Sequence, residues 1–338
     1  MSWLLKLLHI FRLRCLRGLR SLLRLPLPTA NSRFLKDRGT PLPFLYGANL
    51  PWLRYGGDFG ANAWSPGGGM AGTGKKDELR RHLQALRGQG IDVLRWFLFC
   101  DGRAGIRFSA AGTPLGPDDR LYADIDAALE TVASAGMRVI FVLLDFLWFD
   151  ESARINGVQT GGRSRVISGA YKQQALRRRI IVPLLERYGR SPAILAWDII
   201  NEPEWATRGW GGGIIGPALS FPAMRRFIKR TARLVHRHTG HMVTVGLGNA
   251  AGLPLVRGCG LDFYQVHWYE RWENVAPLER QVAELGLDRP LLLGEFPTKG
   301  ASRPPHVIVE TARNNGYCGA LAWSWLAADE FSGMRNGS

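Results

Sequence analysis

Eight short apolar runs recur along the chain after residue 41, each followed by a loop and then by a longer stretch of mixed polarity. The runs cover residues 43–50, 91–99, 138–145, 194–200, 242–248, 262–269, 290–296 and 319–325. Strands that are covered on both faces read as near-continuous apolar runs, as in parallel sheets, whereas half-exposed strands alternate between apolar and polar residues. The pattern therefore predicts eight buried parallel strands.

The stretches between the runs have helical periodicity. In residues 77–90, leucines at 79, 83 and 86 fall on one helical face and glycines at 88 and 90 mark the end of the helix. We predict further helices over residues 121–136, 224–240 and 278–286. Strands that alternate with helices favour an α/β fold, and eight such units predict a single (β/α)8 TIM barrel over residues 41–330. An open doubly wound sheet is the alternative, but "YGANLPW" after the first run lacks the usual GxGxxG phosphate turn.

Polar and aromatic residues gather where the predicted strands end. They are Arg95 with Trp96, Asp145, Asn201 with Glu202, His267 with Tyr269, Glu295, and Trp323 with Trp325. The carboxyl ends of barrel strands form one rim, and the active sites of barrel enzymes lie there. Because burying polar groups costs free energy unless they are paired or used, we predict a functional site at this rim.

Two glutamates at these ends, Glu202 and Glu295, offer a pair of carboxyl groups facing each other across the barrel. Such a pair can cleave a glycosidic bond: one carboxyl protonates the leaving oxygen and the other attacks the anomeric carbon. Glu204 lies two positions farther along, and we interpret it as a carboxylate at the surface or behind the site.

Four motifs together resemble glycoside hydrolase family 5, among the clan A retaining barrels: "IINEP" at the fourth strand end, "HWY" at the sixth, "LGEF" at the seventh and "AWSW" at the eighth. The resemblance covers most of residues 41–330. It implies a retaining glycosidase that cleaves a β-linked oligo- or polysaccharide through a covalent glycosyl-enzyme. A transglycosylase that uses the same residues, or a carbohydrate-binding barrel without catalytic activity, are the alternatives.

The resemblance also assigns roles to individual residues. Glu202 matches the acid/base and Glu295 the nucleophile. Asn201 matches the residue that binds the 2-hydroxyl of the sugar, and Arg95 matches the arginine that favours an ionised nucleophile.

Three further residues match positions around the reacting sugar. Tyr269 matches the tyrosine that donates to the nucleophile, His267 the histidine beside the acid/base, and Trp323 the tryptophan under the sugar. The chain departs from the family after the third strand, where many members have a histidine. Asp145 or the nearby Trp148 occupies that region here, which changes the contacts expected with the sugar hydroxyls.

Long loops after the first and fourth strands carry aromatic and acidic residues that could contact a glycan or simply pack. These residues are Trp52, Tyr55, Asp58 and Trp64 in the first loop, and Trp205 and Trp210 in the second. We include Trp52 among the expected substrate-binding residues.

Composition and charge add an N-terminal extension to this description. The net charge of the 338-residue chain is +16, and half of it comes from eight Lys or Arg in residues 1–36, which contain no acid. Residues 1–25 read as a basic amphipathic helix suited to an anionic membrane surface, with a disordered leader as the alternative. The stretch lacks the uninterrupted apolar core of a cleavable signal, so a cytoplasmic or membrane-surface location is favoured over secretion.

We divide the chain into an extension and linker (1–40), a catalytic barrel (41–330) and a tail (331–338).

The remaining composition excludes several classes. Beyond residue 36 the cations show no clustering on one face, so no nucleic-acid partner is expected. The four cysteines, Cys15, Cys100, Cys259 and Cys318, are isolated and form no metal-binding pattern. A nucleophile and an acid/base suffice for the reaction, so we expect neither a metal nor an organic cofactor.

Overall fold

The computed structural model describes residues 35–61, 63–64, 68–210, 216–271 and 277–334. The amphipathic helix predicted over residues 1–25 lies outside the described residues, as do the last four residues of the predicted tail. The boundaries of the three predicted segments stay a prediction.

Eight parallel strands of the described chain form the central sheet. They are β1 Leu45–Asn49, β2 Val93–Phe97, β3 Arg138–Asp145, β4 Ile194–Asn201, β5 in two segments, Met242–Thr244 and Gly246–Leu247, β6 Tyr264–His267, β7 Leu291–Pro297 and β8 Gly319–Trp323. The spatial order is β5, β4, β3, β2, β1, β8, β7, β6 and again β5. Because the first and last positions are two segments of one strand, the sheet closes on itself, and the predicted TIM barrel is confirmed.

Helices surround this sheet. They are α1 Lys75–Gly88, α2 Leu121–Ser134, α3 Ser164–Ser168, α4 Ala170–Leu176, α5 Val182–Tyr188, α6 Phe221–His238, α7 Leu253–Val256 and α8 Pro305–Asn314, with a π-helical turn over Arg177–Ile181 between α4 and α5. The predicted apolar face of α1 is fully buried, and Gly90 just beyond its end has a φ of +78°, which glycine adopts without strain.

Short 3₁₀ turns and two-stranded hairpins complete the connections. The 3₁₀ turns are Phe146–Phe149, Pro203–Ala206, Ala250–Gly252, Pro277–Glu279 and Val282–Leu285; the hairpins pair Lys36–Asp37 with Thr40–Pro41, Ile106–Phe108 with Pro114–Pro117, and Ala153–Ile155 with Val158–Thr160.

The helix predicted over residues 278–286 is wrong. The chain there forms two 3₁₀ turns separated by Arg280 and Gln281, and the ψ of 128° at Gln281 is extended. Nine residues make too few internal hydrogen bonds to offset the cost of starting a helix. Asn315 supplies other partners: its carbonyl accepts from the Val282 N–H at 2.8 Å and its side-chain amide donates to the Leu278 carbonyl at 2.5 Å.

The interior of the barrel is apolar at the amino ends of the strands and polar toward the rim. Leu35, Leu45, Val93 and Phe263 belong to one buried cluster at the amino ends. The cysteines of the described part, Cys100, Cys259 and Cys318, are buried free thiols. Among the described helices, none has the length and apolarity needed to cross a bilayer.

Candidate active site

The guanidinium of Arg95 lies in the polar part of the barrel interior and is fully buried. Its Nη1 donates to Asn49 Oδ1 at 3.1 Å and to Glu295 Oε1 at 2.7 Å. Its Nη2 donates to Asn201 Oδ1 at 2.7 Å, and Nε and Nη2 both donate to Asp198 Oδ2, at 3.0 and 2.9 Å. The planar fork of five N–H donors thus joins side chains from β1, β4 and β7 to β2.

Three members of this network were not predicted from the sequence: Asn49, Asp198 and Gln265. All three are fully buried. Asp198 accepts from the Gly246 N–H at 3.0 Å and from Gln265 Nε2 at 2.9 Å, in addition to Arg95. The available signal was the presence of polar residues inside otherwise apolar runs, because a polar side chain inside a barrel requires a buried partner.

Two glycines make room for this network. A Cβ at Gly246 would lie 2.5 Å from both Arg95 Nη2 and Gln265 Nε2, and a Cβ at Gly294 would lie 2.4 Å from Gln265 Cγ. Any larger residue at either position would displace the polar side chains, so glycine is required by close approach.

The two predicted glutamates meet at the rim. The sheet register sets His267 of β6 opposite Glu295 of β7. One carboxylate oxygen from each glutamate and one nitrogen of His267 lie within 4.8 Å of one another. The His267 Nδ1 is 2.8 Å from Glu202 Oε1 and 3.5 Å from Glu295 Oε2. Retaining glycosidases separate their two carboxyl groups by about 5–5.5 Å, and the arrangement is compatible with that spacing.

Glu295 is bound on both oxygens. Arg95 Nη1 donates to Oε1 and the Tyr269 hydroxyl donates to Oε2, each at 2.7 Å. Burial raises the pKa of Glu295, and the positive charge of Arg95 opposes that shift. Burial also raises the pKa of Tyr269 well above its usual value, so its hydroxyl keeps the proton that it donates. These contacts favour the ionised form of Glu295 more strongly than the ionised form of Glu202 is favoured.

Glu202 has a different environment. Its Oε2 accepts from the indole N–H of Trp205 at 3.0 Å and its Oε1 contacts His267, while no Lys or Arg in the described chain forms an ion pair with it. Burial raises the pKa of Glu202 to about 7, and burial lowers that of His267 to about 4, so the histidine is uncharged at neutral pH. At neutral pH the more readily protonated carboxyl of the pair is therefore Glu202.

The backbone of Glu202 is unusual. Its φ of 44° and ψ of 53° are left-handed, a conformation that costs free energy for a residue other than glycine. The strand β4 ends at Asn201, and the following turn Pro203–Ala206 begins with a proline whose fixed φ suits the first helical position. Glu202 is therefore the corner at which the chain leaves the barrel wall.

Asn201 and Asp145 are paired across β4 and β3. Asn201 Nδ2 donates to Asp145 Oδ2 at 2.9 Å, and Asp145 also accepts from the Leu147 N–H at 2.8 Å, which caps the turn Phe146–Phe149. Burial raises the pKa of Asp145 well above its usual value. Trp148, the alternative candidate in this region, is fully buried in the hydrophobic core, where its ring packs against Phe108.

The predicted tryptophans differ in exposure. Trp323 is partly exposed and donates its indole N–H to Asp329 at 3.0 Å, so its ring is held at the rim. Trp325 is buried and donates to His82 of α1, which places it in the core. Trp52 is partly buried, with its ring centroid 4.7 Å from that of Tyr55.

Two other loop residues, Asp58 and Trp210, stabilise the fold. The carboxylate of Asp58 is buried and accepts from the backbone of Leu53 and Arg54 and from the indole of Trp96, so it shapes the first loop from inside. The indole of Trp210 packs on Phe221 at the start of α6, with ring centroids 5.3 Å apart.

Glu204 lies behind the site rather than at the surface, which selects one of the two interpretations of this residue. Its Oε1 accepts from the Gly248 N–H at 3.0 Å. Burial raises its pKa to about 8, with the nearby charge of Glu202 adding to the shift.

Glu202, His267 and Glu295 are also the one group of potential metal ligands in the described chain whose donor atoms could converge on an ion. The oxygens of Glu295 already accept from Arg95 and Tyr269, and Glu202 accepts from Trp205. These bonds match a role in proton transfer and nucleophilic attack, and we assign no metal site.

No protein-family model matches the chain. A mannan endo-1,4-β-mannosidase of Mytilus edulis is 28% identical over 321 residues, which cover 83% of each chain. The crystal structure of the β-mannanase from that mussel superposes with a TM-score of 0.73 at 26% identity, covering 91% of this chain and 93% of the other. A glycoside hydrolase family 5 mannosidase of Rhizomucor miehei shares the fold, with a TM-score of 0.56 at 15% identity, covering 88% of this chain and 84% of the other.

Proposed function

We propose that the substrate of this chain is a β-1,4-linked mannan. The premise is that the chain belongs to the cellulase-like glycoside hydrolases of family 5 and is a retaining hydrolase of β-glycosidic bonds. The sequence relative from Mytilus edulis is named a mannan endo-1,4-β-mannosidase and the solved structure from that mussel a β-mannanase, and each aligns over more than four fifths of the chain. The observation that carries the catalytic part of the proposal is the bridged carboxyl pair of Glu202 and Glu295.

In the first step, the Glu295 carboxylate attacks the anomeric carbon. The glycosidic carbon–oxygen bond breaks, and the proton of Glu202 moves to the leaving oxygen, which departs as an alcohol. The product of this step is a glycosyl ester on Glu295. Arg95 and Tyr269, bound to Glu295, fix the orientation of the nucleophile before attack.

In the second step, the Glu202 carboxylate takes a proton from water as the water oxygen attacks the anomeric carbon. The ester bond to Glu295 breaks, and both glutamates return to their starting states. Two inversions at one carbon retain its configuration. His267, uncharged and hydrogen-bonded to Glu202, orients the acid/base through both steps.

The remaining predicted residues bind the sugar. Asn201 has one amide N–H committed to Asp145 and a second available for the 2-hydroxyl of the substrate. The partly exposed ring of Trp323 offers a flat apolar face to the reacting sugar. Asp145 and Trp52 complete the set of proposed contacts.

A substrate panel tests the proposal. Linear β-1,4-mannan, β-1,4-glucan and xylan are incubated with the enzyme, and proton NMR follows the first anomer formed. We expect the β anomer first, and cleavage of mannan at least about tenfold faster than of the other two polymers. Faster cleavage of glucan or xylan would reject the mannan assignment, and the α anomer first would reject the two-step mechanism.

Variants test the roles of the two glutamates. Glu295→Gln removes the nucleophile and should reduce hydrolysis of every substrate to background. Glu202→Ala should hydrolyse an activated aryl glycoside slowly and be accelerated by azide, which attacks the glycosyl-enzyme without a general base. Substantial hydrolysis by Glu295→Gln would contradict the assignment.

Peripheral membrane contact through residues 1–25 is a separate proposal, supported by the basic amphipathic pattern alone. Sedimentation with anionic liposomes tests it, with the full chain compared to a chain that lacks residues 1–30. The shortened chain should lose binding, and equal sedimentation of the two would end the proposal.

A further inference from the structure

Glu204 is a buried carboxyl that the two-step reaction does not use. It belongs to the turn Pro203–Ala206, two residues after the acid/base. Its Oε1 accepts from the Gly248 N–H, whereas its Oε2 is buried and has no hydrogen-bond partner among the described residues. No Lys, Arg or His of the described chain forms an ion pair with it. A carboxyl in such a position costs free energy, which makes its presence next to the site informative.

One loop contacts both Glu204 and Glu202. It follows β5 and runs from Gly248 to Gly252, and Asn249 shapes it by accepting the Ala251 N–H at 2.9 Å. A Cβ at Gly248 would lie 3.6 Å from the carboxyl carbon of Glu202. A Cβ at Gly252 would lie only 2.0 Å from Glu204 Oε1. The loop therefore lies beside both carboxyl groups, and its hydrogen bond to Glu204 ties it to the turn that follows the acid/base.

The strained backbone of Glu202 needs such support. A left-handed glutamate persists only where its surroundings fix it. On one side, the Glu202 N–H donates to the Gly246 carbonyl of β5 at 2.7 Å. On the other side, the turn that contains Glu204 is closed by the Thr207 N–H, which donates to the Glu204 carbonyl at 3.0 Å, and the Glu204 side chain ties that turn back to the loop after β5.

We propose that Glu204 is a positioning residue that acts through Glu202: by holding the loop Gly248–Gly252 against the acid/base, it fixes the direction from which Glu202 gives its proton to the leaving oxygen. The inference rests on the proposed function, because it requires Glu202 to be the acid. The loop Gly248–Gly252 contributes no ionisable side chain, and Glu202 is the ionisable neighbour of Glu204. Burial raises the pKa of Glu204, which favours its uncharged form beside the acid.

Leaving-group dependence distinguishes this role from a general contribution to folding. A 2,4-dinitrophenyl group departs without a proton, whereas a phenyl group requires one. The test compares kcat/KM, which reports the steps through the first bond cleavage, for the dinitrophenyl and phenyl β-glycosides of one mannooligosaccharide. The proteins are the wild type, Glu204→Ala and Glu204→Gln, with Glu310→Gln, an exposed residue on α8, as the matched control.

We expect Glu204→Ala to lose about tenfold or more in kcat/KM on the phenyl glycoside and less than about threefold on the dinitrophenyl glycoside. Glu204→Gln has the same shape and keeps an oxygen for the Gly248 N–H, so its loss should be smaller but equally selective. Glu310→Gln should match the wild type on both substrates. Thermal unfolding of each protein shows that it is folded at the assay temperature, and if Glu204→Ala is not, Glu204→Gln decides the test.

Equal losses on the two substrates would overturn the inference, because a merely structural defect does not distinguish leaving groups. Unchanged activity of both Glu204 variants would overturn it as well. A wild-type enzyme that cleaves neither glycoside nor mannan would instead reject the proposed function, and this inference with it.

Discussion

The side chain of Arg95 neutralises negative charge in the buried interior of the barrel. Asp198 and Glu295 both bind it, and all three groups are at most 5% exposed. Removing the cation leaves two carboxylates buried without compensation, which costs far more than the net value of the ion pairs. The residue therefore supports the fold and the site through the same hydrogen bonds.

Arg95→Met should lower the free energy of unfolding by about 3–5 kcal/mol, measured by urea denaturation. Arg95→Lys should fold better but lose most activity, because a compact ammonium cannot bind four acceptors in one plane. Arg80→Met removes an exposed cation that pairs with Asp77 on α1 and should change stability by less than about 1 kcal/mol. A similar small effect at Arg95 would show that the buried network is not held by this cation.

The pH dependence of kcat/KM follows from the two glutamates. In the proposed reaction Glu202 must be protonated to act as the acid, so activity should fall as the pH rises above about 7. Glu295 must be ionised to attack, so activity should fall as the pH drops through its pKa. Tyr269→Phe removes a hydrogen bond that stabilises the carboxylate, which raises the pKa of Glu295 further.

We therefore expect Tyr269→Phe to move the acidic limb of the profile to higher pH and to leave the alkaline limb near its wild-type position. The profile narrows from one side, and the measurement is kcat/KM from pH 4 to about 9. An acidic limb that stays in place would mean that Tyr269 does not control the ionisation of the nucleophile.

At the scale of elements, sequence predicted the strands better than their connections. Each apolar run overlaps an observed strand, because burial on both faces leaves a composition that loops do not share. The run over residues 242–248 forms two short segments with Val245 between them, and the second begins at Gly246, where the polar network lies close to the strand. The helix predicted at 278–286 does not form because this segment makes hydrogen bonds with Asn315 instead. Asn315 is distant in sequence, so these bonds cannot be inferred from local periodicity.

The residues of the candidate site also fall into those that the sequence predicted and those that it did not. Residues at strand ends, such as Glu202 and Glu295, were predictable because the barrel brings all strand ends to one rim. Asp198 and Gln265 were not predictable, because the role of a polar residue inside the barrel depends on its hydrogen-bond partner on another strand. The local sequence likewise did not decide whether Glu204 was exposed, since the Gly248–Gly252 loop that covers it begins 44 residues later.

The close approach of β5 to the polar network gives a prediction for that strand. Gly246→Ala would place a methyl group 2.5 Å from Arg95 and Gln265, so the network must shift or the strand must move. We expect a loss of stability of about 1–3 kcal/mol in urea denaturation, with a loss of activity because Arg95 also holds Glu295. Gly240→Ala, which has nothing within 4 Å and precedes the same strand, should be tolerated. Equal effects of the two substitutions would contradict the close-approach argument.

The whole molecule separates stability from chemistry along the axis of the barrel. The rim carries the polar network and the carboxyl pair, whereas the amino ends of the strands carry an apolar cluster that includes Leu35. Leu35 is 2% exposed and precedes the hairpin Lys36–Asp37 with Thr40–Pro41, and Arg138 at the start of β3 binds Asp37 at 2.7 Å. This segment therefore covers the end of the barrel that is opposite to the site.

Leu35→Ala should consequently lower the free energy of unfolding by about 2–5 kcal/mol, because it opens a cavity among the first residues of the strands. At a temperature where the variant remains folded, kcat and KM should equal those of the wild type, since catalysis belongs to the opposite end. Urea denaturation and steady-state kinetics on the same preparation measure both quantities. A fall in kcat that matches the loss of stability would show that the two ends of the barrel are coupled, and the separation of roles along the axis would have to be abandoned.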